Sequence, residues 1–188
     1  MTKYKVYLIP INSVGEGAFG VKRNAVGKIQ INLFGGNIDN IKGKPDENSI
    51  IKTLTQELLE ESRCGLCIPY DVMKQRVQVI YSNWHDNISY SFYVIGLNSN
   101  ELNKKNDKSF FNRSLMNVIH RKRLKGELYN PWRETTGEIL WIKLKDITSD
   151  KLFNEYGLKI YKRINKTIYI KQAIFIARDY FLKKKVFS

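Results

Sequence analysis

Residues 33–66, LFGGNIDNIKGKPDENSIIKTLTQELLEESRCGL, decide how the rest of the chain is read. An apolar pair, Leu33-Phe34, delivers a double glycine, Gly35-Gly36. A polar loop with Gly43 and Pro45 follows, and then an amphipathic segment whose second half carries Glu57, Glu60 and Glu61. Spacings of three and four residues place side chains on one helical face, so these carboxylates crowd onto one stripe. Like charges so placed destabilise a bare helix by about 0.2–0.5 kcal/mol per pair. A solvated acidic face is the commonest explanation of such a stripe. A hard divalent cation, which prefers carboxylate oxygens, is the other, and the glycine pair ahead of the helix favours it.

Working outward, residues 28–34 (KIQINLF) alternate as a strand leading to the glycines. Pro45-Asp46 suits a turn before a helix, with Asn48 or Ser49 as its expected cap and its end near Arg63. Ile50, Ile51, Leu54, Leu58 and Leu59 form the apolar side, which leaves Glu57, Glu60 and Glu61 at or beyond its edge.

Upstream, residues 3–11 (KYKVYLIPI) read as a strand, with Pro10 marking an end or an edge. Residues 13–20 (SVGEGAFG) read as a glycine-rich turn, and 22–27 as a polar connection. The GEGAFG run lacks the Lys-Ser/Thr that completes a P-loop. Downstream, residues 76–81 and 89–97 read as strands joined by a turn at Trp84-His85-Asp86-Asn87. Tyr81 and Trp84 of this hairpin are candidates for stacking on a nucleobase, although aromatic side chains in sheets more often pack.

Residues 98–107 are polar, and a helix is expected near residues 110–119. The basic run His120-Arg121-Lys122-Arg123-Leu124-Lys125 follows; Arg121 and Arg123 are candidate phosphate contacts, against the plainer reading of a solvated face. Residues 138–144 (EILWIKL) read as a strand. Residues 166–185 have a strong helical period, with Ile170, Ile174, Ala177 and Phe181 on one face. That helix is expected to pack on the core; a dimer face and a membrane surface are the alternatives.

The chain has 188 residues, 43% of them hydrophobic, and reads as one domain over residues 1–188, with a core at about 3–150 and a helical extension at about 151–188. With 32 Lys and Arg against 18 Asp and Glu, its net charge is +14. Such a surface attracts polyanions, including nucleic acid and phosphorylated small molecules. Cys64 and Cys67 form a C-x-x-C after the helix rather than before one, without a second pair to complete a zinc site, and read as ordinary thiols of a reducing compartment. No leader pattern or membrane-length apolar run is present in the sequence, so a cytoplasmic location without integral membrane association is expected.

The central stretch resembles the Nudix box, G-x5-E-x7-R-E-U-x-E-E-x-G-U, where U is bulky and apolar. Gln56-Glu57-Leu58-Leu59-Glu60-Glu61 stands where R-E-U-x-E-E stands in the family. Gln56 replaces the arginine, Asn48 occupies the loop glutamate position with Glu47 beside it, and the closing glycine, Gly65, comes late. The resemblance implies an α/β fold, a Nudix-like α/β/α sandwich with a mixed sheet flanked by helices. It implies a hydrolase of phosphorus anhydrides that uses Mg²⁺ or Mn²⁺. Glu57, Glu60, Glu61 and the Gly36 carbonyl would bind the metal. Glu138, in an E-x-x-W segment, would assist as metal ligand or base, with Glu134 as runner-up; a strand-end charge is the equal alternative for Glu138. The substrate would be a nucleoside diphosphate linked to another group, from ADP-ribose to capped RNA. A nucleotide- or RNA-binding module without catalysis is the other reading.

Overall fold

The computed structural model describes residues 2–23, 29–38, 43–62, 65–98, 139–158 and 164–183. The expected helix near residues 110–119, the basic run with Arg121 and Arg123, Glu134, Glu138 and Cys64 lie outside the described residues.

The first strand, β1 (Lys3–Asn12), is the centre of a mixed sheet. Its alternating apolar residues serve two cores. Tyr7, Ile9 and Ile11 point to one face, and Val6 and Leu8 to the other. One edge of β1 pairs in parallel with β6 (Ile88–Leu97) along its whole length. Along the other edge β1 changes partner. It pairs antiparallel with β4 (Phe34–Asn37) from Lys5 to Leu8, and with β2 (Glu16–Arg23) at Ile11. Pro10 is therefore not at a strand end or a sheet edge. It lies inside β1, between the ladder with β4 and the ladder with β2, where the missing N–H of proline matters least.

The segment read as a glycine-rich turn is largely strand β2. Only its start, Ser13–Gly15, turns, with Asn12 Oδ1 accepting from the N–H groups of Val14 and Glu16. β2 pairs with β7 (Ile139–Lys143) and with β3 (Ile29–Asn32). β3 and β4 are consecutive and separated by Leu33 alone, so the chain leaves β2 and moves to β1 just before the double glycine.

The hairpin of β5 (Gln78–His85) and β6 turns at Asp86-Asn87, whose φ angles are 49° and 59°. Two consecutive left-handed residues match the twist of a two-residue hairpin, and Asp and Asn tolerate that conformation. Trp84 and His85, expected in the turn, are thereby part of β5.

Helices cover both faces, giving an α/β/α sandwich. On the Val6 and Leu8 face lie α1 (Glu47–Glu61) and α2 (Tyr70–Arg76), a short helix with no counterpart in the sequence reading. On the Tyr7 and Ile9 face lies α3 (Ile164–Lys183), whose Ile170, Ala173, Ile174 and Ala177 are fully buried. The C-terminal helix thus packs on the core, as its periodicity predicts. A 3-10 turn (Leu144–Asp146) and one π turn (Lys151–Glu155) precede it. No helix among the described residues is long and apolar enough to cross a membrane.

Candidate active site

The site is built where α1 crosses β4. Asp46, rather than Asn48 or Ser49, caps α1: its side chain accepts from the Ser49 N–H at 2.8 Å. Hydrogen bonding from the Ser49 side chain, and then from its N–H, holds the Asp46 carboxyl below the ordinary carboxylate range. Ile51, Leu54 and Leu58 bury one stripe of α1 against the sheet, which fixes the rotation of the helix. Tyr70 Oη and Lys74 Nζ both donate to Asn48 Oδ1, tying the start of α1 to α2.

The same rotation carries the carboxylates onto the glycines. Gly35 donates its N–H to Glu61 Oε2 at 2.7 Å. A Cβ built on Gly36 would fall 2.8 Å from Glu57 Cδ and closer still to its Oε1, so only glycine leaves that carboxylate its place. Gly35 has φ of 151°, and a Cβ there would meet the backbone of β1, 2.7 Å from Tyr7 Cα. Each glycine answers a different demand: Gly35 lets the strands approach, and Gly36 makes room for Glu57.

Glu60 accepts from Gln56 Nε2 at 2.7 Å, one helical turn earlier. Glu60 and Glu61 are only 8% exposed, deeper than a position at the edge of the apolar side suggests. Their setting is electrostatically adverse. They lie in the last turn of α1, which has no basic residue, where the helix dipole disfavours anions. Charge-assisted hydrogen bonds from the Gly35 N–H and the Gln56 amide offset part of that cost. The three carboxylates share a face but turn to three protein groups, and no three His, Cys, Asp or Glu side chains among the described residues are gathered as a chelating group.

Hard oxygen donors are nonetheless what Mg²⁺ or Mn²⁺ takes, and Gly36 leaves a cradle beside the Glu57 carboxylate that any side chain would fill. The donor chemistry fits a hard divalent cation.

The two aromatic candidates separate. A bulge between Val79 and Tyr81 sets the parity of β5. Tyr81, paired with Phe92, faces α3: its ring stacks on Phe92 with centroids 5.6 Å apart, and its hydroxyl donates to Gln172 Oε1 at 2.6 Å. Trp84, paired with Ser89, lies on the α1 face and is 54% exposed. Tyr81 is thus packed on the sheet face opposite the carboxylates. Tyr4, Ser91 and Tyr93, which the sequence reading passed over, share the face of Trp84; strand alternation alone points to them once the register is known.

No family model matches the chain, and no curated protein matches it. A solved structure titled as the crystal structure of an ADP compounds hydrolase is similar, with a TM-score of 0.47 and 12% identity over 97% of this chain and 75% of that chain.

Proposed function

We propose that the chain is a metal-dependent pyrophosphohydrolase of the Nudix type, acting on a nucleoside diphosphate linked to another moiety. The observation that carries this reading is the meeting of Glu57 and Glu61 of α1 with the Gly36 and Gly35 backbone. The box-like spacing of Glu57, Glu60 and Glu61 supports the same conclusion.

Phosphoric anhydrides resist hydrolysis because their negative oxygens repel nucleophiles. A divalent cation supplies charge neutralisation and a lowered pKa for water. Glu57, Glu60, Glu61 and the Gly36 carbonyl would hold it. The Gly35 N–H orients Glu61, and the Gln56 amide orients Glu60. Glu57, beside the Gly36 cradle, is the carboxylate we assign to accept a proton from attacking water. Glu138 is a further acidic residue for this role, and Arg121 and Arg123 are contacts for substrate phosphates. The net charge of +14 favours a highly anionic substrate such as capped RNA over a compact one such as ADP-ribose.

The test is hydrolysis of a panel of nucleoside diphosphate derivatives and capped RNA with Mn²⁺. Glu60→Gln and Glu61→Gln are expected to lose turnover by about 100-fold or more while remaining folded. Full activity in both variants would sink the proposal. A second reading, a binding module without turnover, is favoured by one observation: a neutral amide, Gln56, stands on buried Glu60 where the box has a cation. Tight nucleotide binding with no metal-dependent turnover across the panel would support it.

A further inference from the structure

The α1 face of the sheet does not end at the carboxylates. Beyond β1 it continues onto β6 and β5, past the contact of α2 with β6, and its outer residues are half-buried or exposed. Cross-strand pairing puts Ser91 opposite Ser82, Ser89 opposite Trp84, and Tyr4 of β1 opposite Ser89. Ser82 and Trp84 are exposed, and Tyr4, Ser89, Ser91 and Tyr93 are half-buried. Small hydroxyl side chains thus form a floor, with Trp84 on one flank.

Two of the hydroxyls are linked. Ser82 Oγ and Ser91 Oγ are hydrogen-bonded at 3.1 Å. Burial pushes the Tyr93 hydroxyl up from its ordinary pKa, so it stays neutral and able to donate. None of these six side chains carries a formal charge at neutral pH, in a chain whose net charge is +14. A strip meant for phosphates would be basic. An aromatic face beside neutral hydroxyls suits a planar ring and a sugar.

The strip is also in line with the carboxylates. Gly36 pairs with Val6, Val6 with Ser91, and Ser91 with Ser82, so one row runs from the Glu57 cradle to the strip. β4 and β5 are three strand spacings apart, about 14 Å. That is the scale of an extended nucleotide substrate.

We propose that the strip of Tyr4, Ser82, Ser89, Ser91 and Tyr93, with Trp84 as stacking residue, is the subsite for the nucleoside half of the substrate. This deepens the hydrolase reading and rests on it for the identity of the other half. Tyr81, on the opposite face, takes no part.

The test is calorimetric titration of the full chain, with Mg²⁺, by AMP, GMP, CMP, UMP and ribose 5-phosphate. At least one nucleotide is expected to bind more tightly than ribose 5-phosphate. Trp84→Ala is expected to weaken that nucleotide about tenfold and leave ribose 5-phosphate unchanged. Trp84→Phe should retain most of the affinity, and Ser91→Leu, which fills the floor, should lose it. Trp84 is half exposed, so its variants are expected to fold, checked by circular dichroism. Nucleotide affinity in Trp84→Ala within twofold of the unaltered chain would overturn the subsite, as would no nucleotide binding better than ribose 5-phosphate. Turnover measured in the same samples separates the two readings. Trp84-dependent binding without any turnover retains the subsite and removes the hydrolase; turnover indifferent to Trp84 does the reverse.

Discussion

The backbone N–H of Gly35 and the carboxylate of Glu61 meet at 2.7 Å, although 26 positions separate them in the chain. This bond joins the strand that carries the glycines to the helix that carries the acids. Glu61→Ala leaves the Gly35 N–H without that acceptor and is expected to cost about 1–3 kcal/mol in urea unfolding. Glu61→Gln keeps an acceptor and should cost less than about 1 kcal/mol, while turnover falls as described above. Equal stability losses in the two variants would contradict the role given to this bond.

Gly36 tests the cradle. Gly36→Ala drives a Cβ into the Glu57 carboxylate, the flexible end of its side chain, and is expected to displace it at small cost in stability. Displacing Glu57 by even 1 Å is expected to cost about 100-fold in turnover. In the double variant Gly36→Ala, Glu57→Ala the collision is gone. The small stability loss should disappear, but turnover should not recover.

Gln56 tests the orientation of Glu60. Gln56→Leu removes the amide donor from a buried carboxylate, with an expected loss of about 1–3 kcal/mol in stability and a weaker response to Mn²⁺. Gln56→Arg restores a donor and adds a charge beside Glu60, and should match or exceed the unaltered chain in both measurements. A Gln56→Leu protein indistinguishable in unfolding and metal titration would exclude the role.

Asp46 supplies a pH dependence. Its folded pKa is depressed by hydrogen bonding from the Ser49 side chain and N–H, so its contribution is present above the unfolded value of 3.8 and is lost as pH falls through the lowered folded value. The melting temperature of Asp46→Ala should therefore lie below that of the unaltered chain near neutrality. The gap should narrow as pH drops below about 4. A gap that widens on acidification would contradict the cap.

The C-terminal helix is part of the core. Ile174 is fully buried on the α3 face, and Ile174→Ala is expected to cost about 2–5 kcal/mol, measured by denaturant unfolding. A loss under about 1 kcal/mol would mean that α3 is peripheral.

Much of this arrangement was legible before the fold. The period of α1 and the spacing of Glu57, Glu60 and Glu61 named the helix face, and alternation named β1, β3, β6 and β7. What the sequence hid has physical reasons. β2 looks like a turn because Gly17 and Gly20 dilute its strand signal. The structure uses Gly17 for close packing: a Cβ there would fall 2.9 Å from Leu144 Cδ2, whereas one on Gly20 would make an ordinary contact with the Phe34 ring. α2 is too short, at seven residues, for a helical period to emerge. The parity of Tyr81 and Trp84 depends on one bulge, and no local pattern announces it. The depth of Glu60 and Glu61 comes from tertiary burial at the end of α1, which a helical wheel does not contain.

The position of β1 has a consequence for how the molecule is made. β1 leaves the ribosome well before β6, yet its longest ladder is the parallel one with β6, which is synthesised only after α1 and α2. Parallel pairing cannot close through a tight turn. During synthesis β1 therefore holds an apolar edge open until β6 arrives, and its Tyr7, Ile9 and Ile11 face stays bare until α3 is complete. Such an open edge invites pairing with other chains. The nascent chain is thus most vulnerable while the centre of its own sheet waits for the strand that completes it.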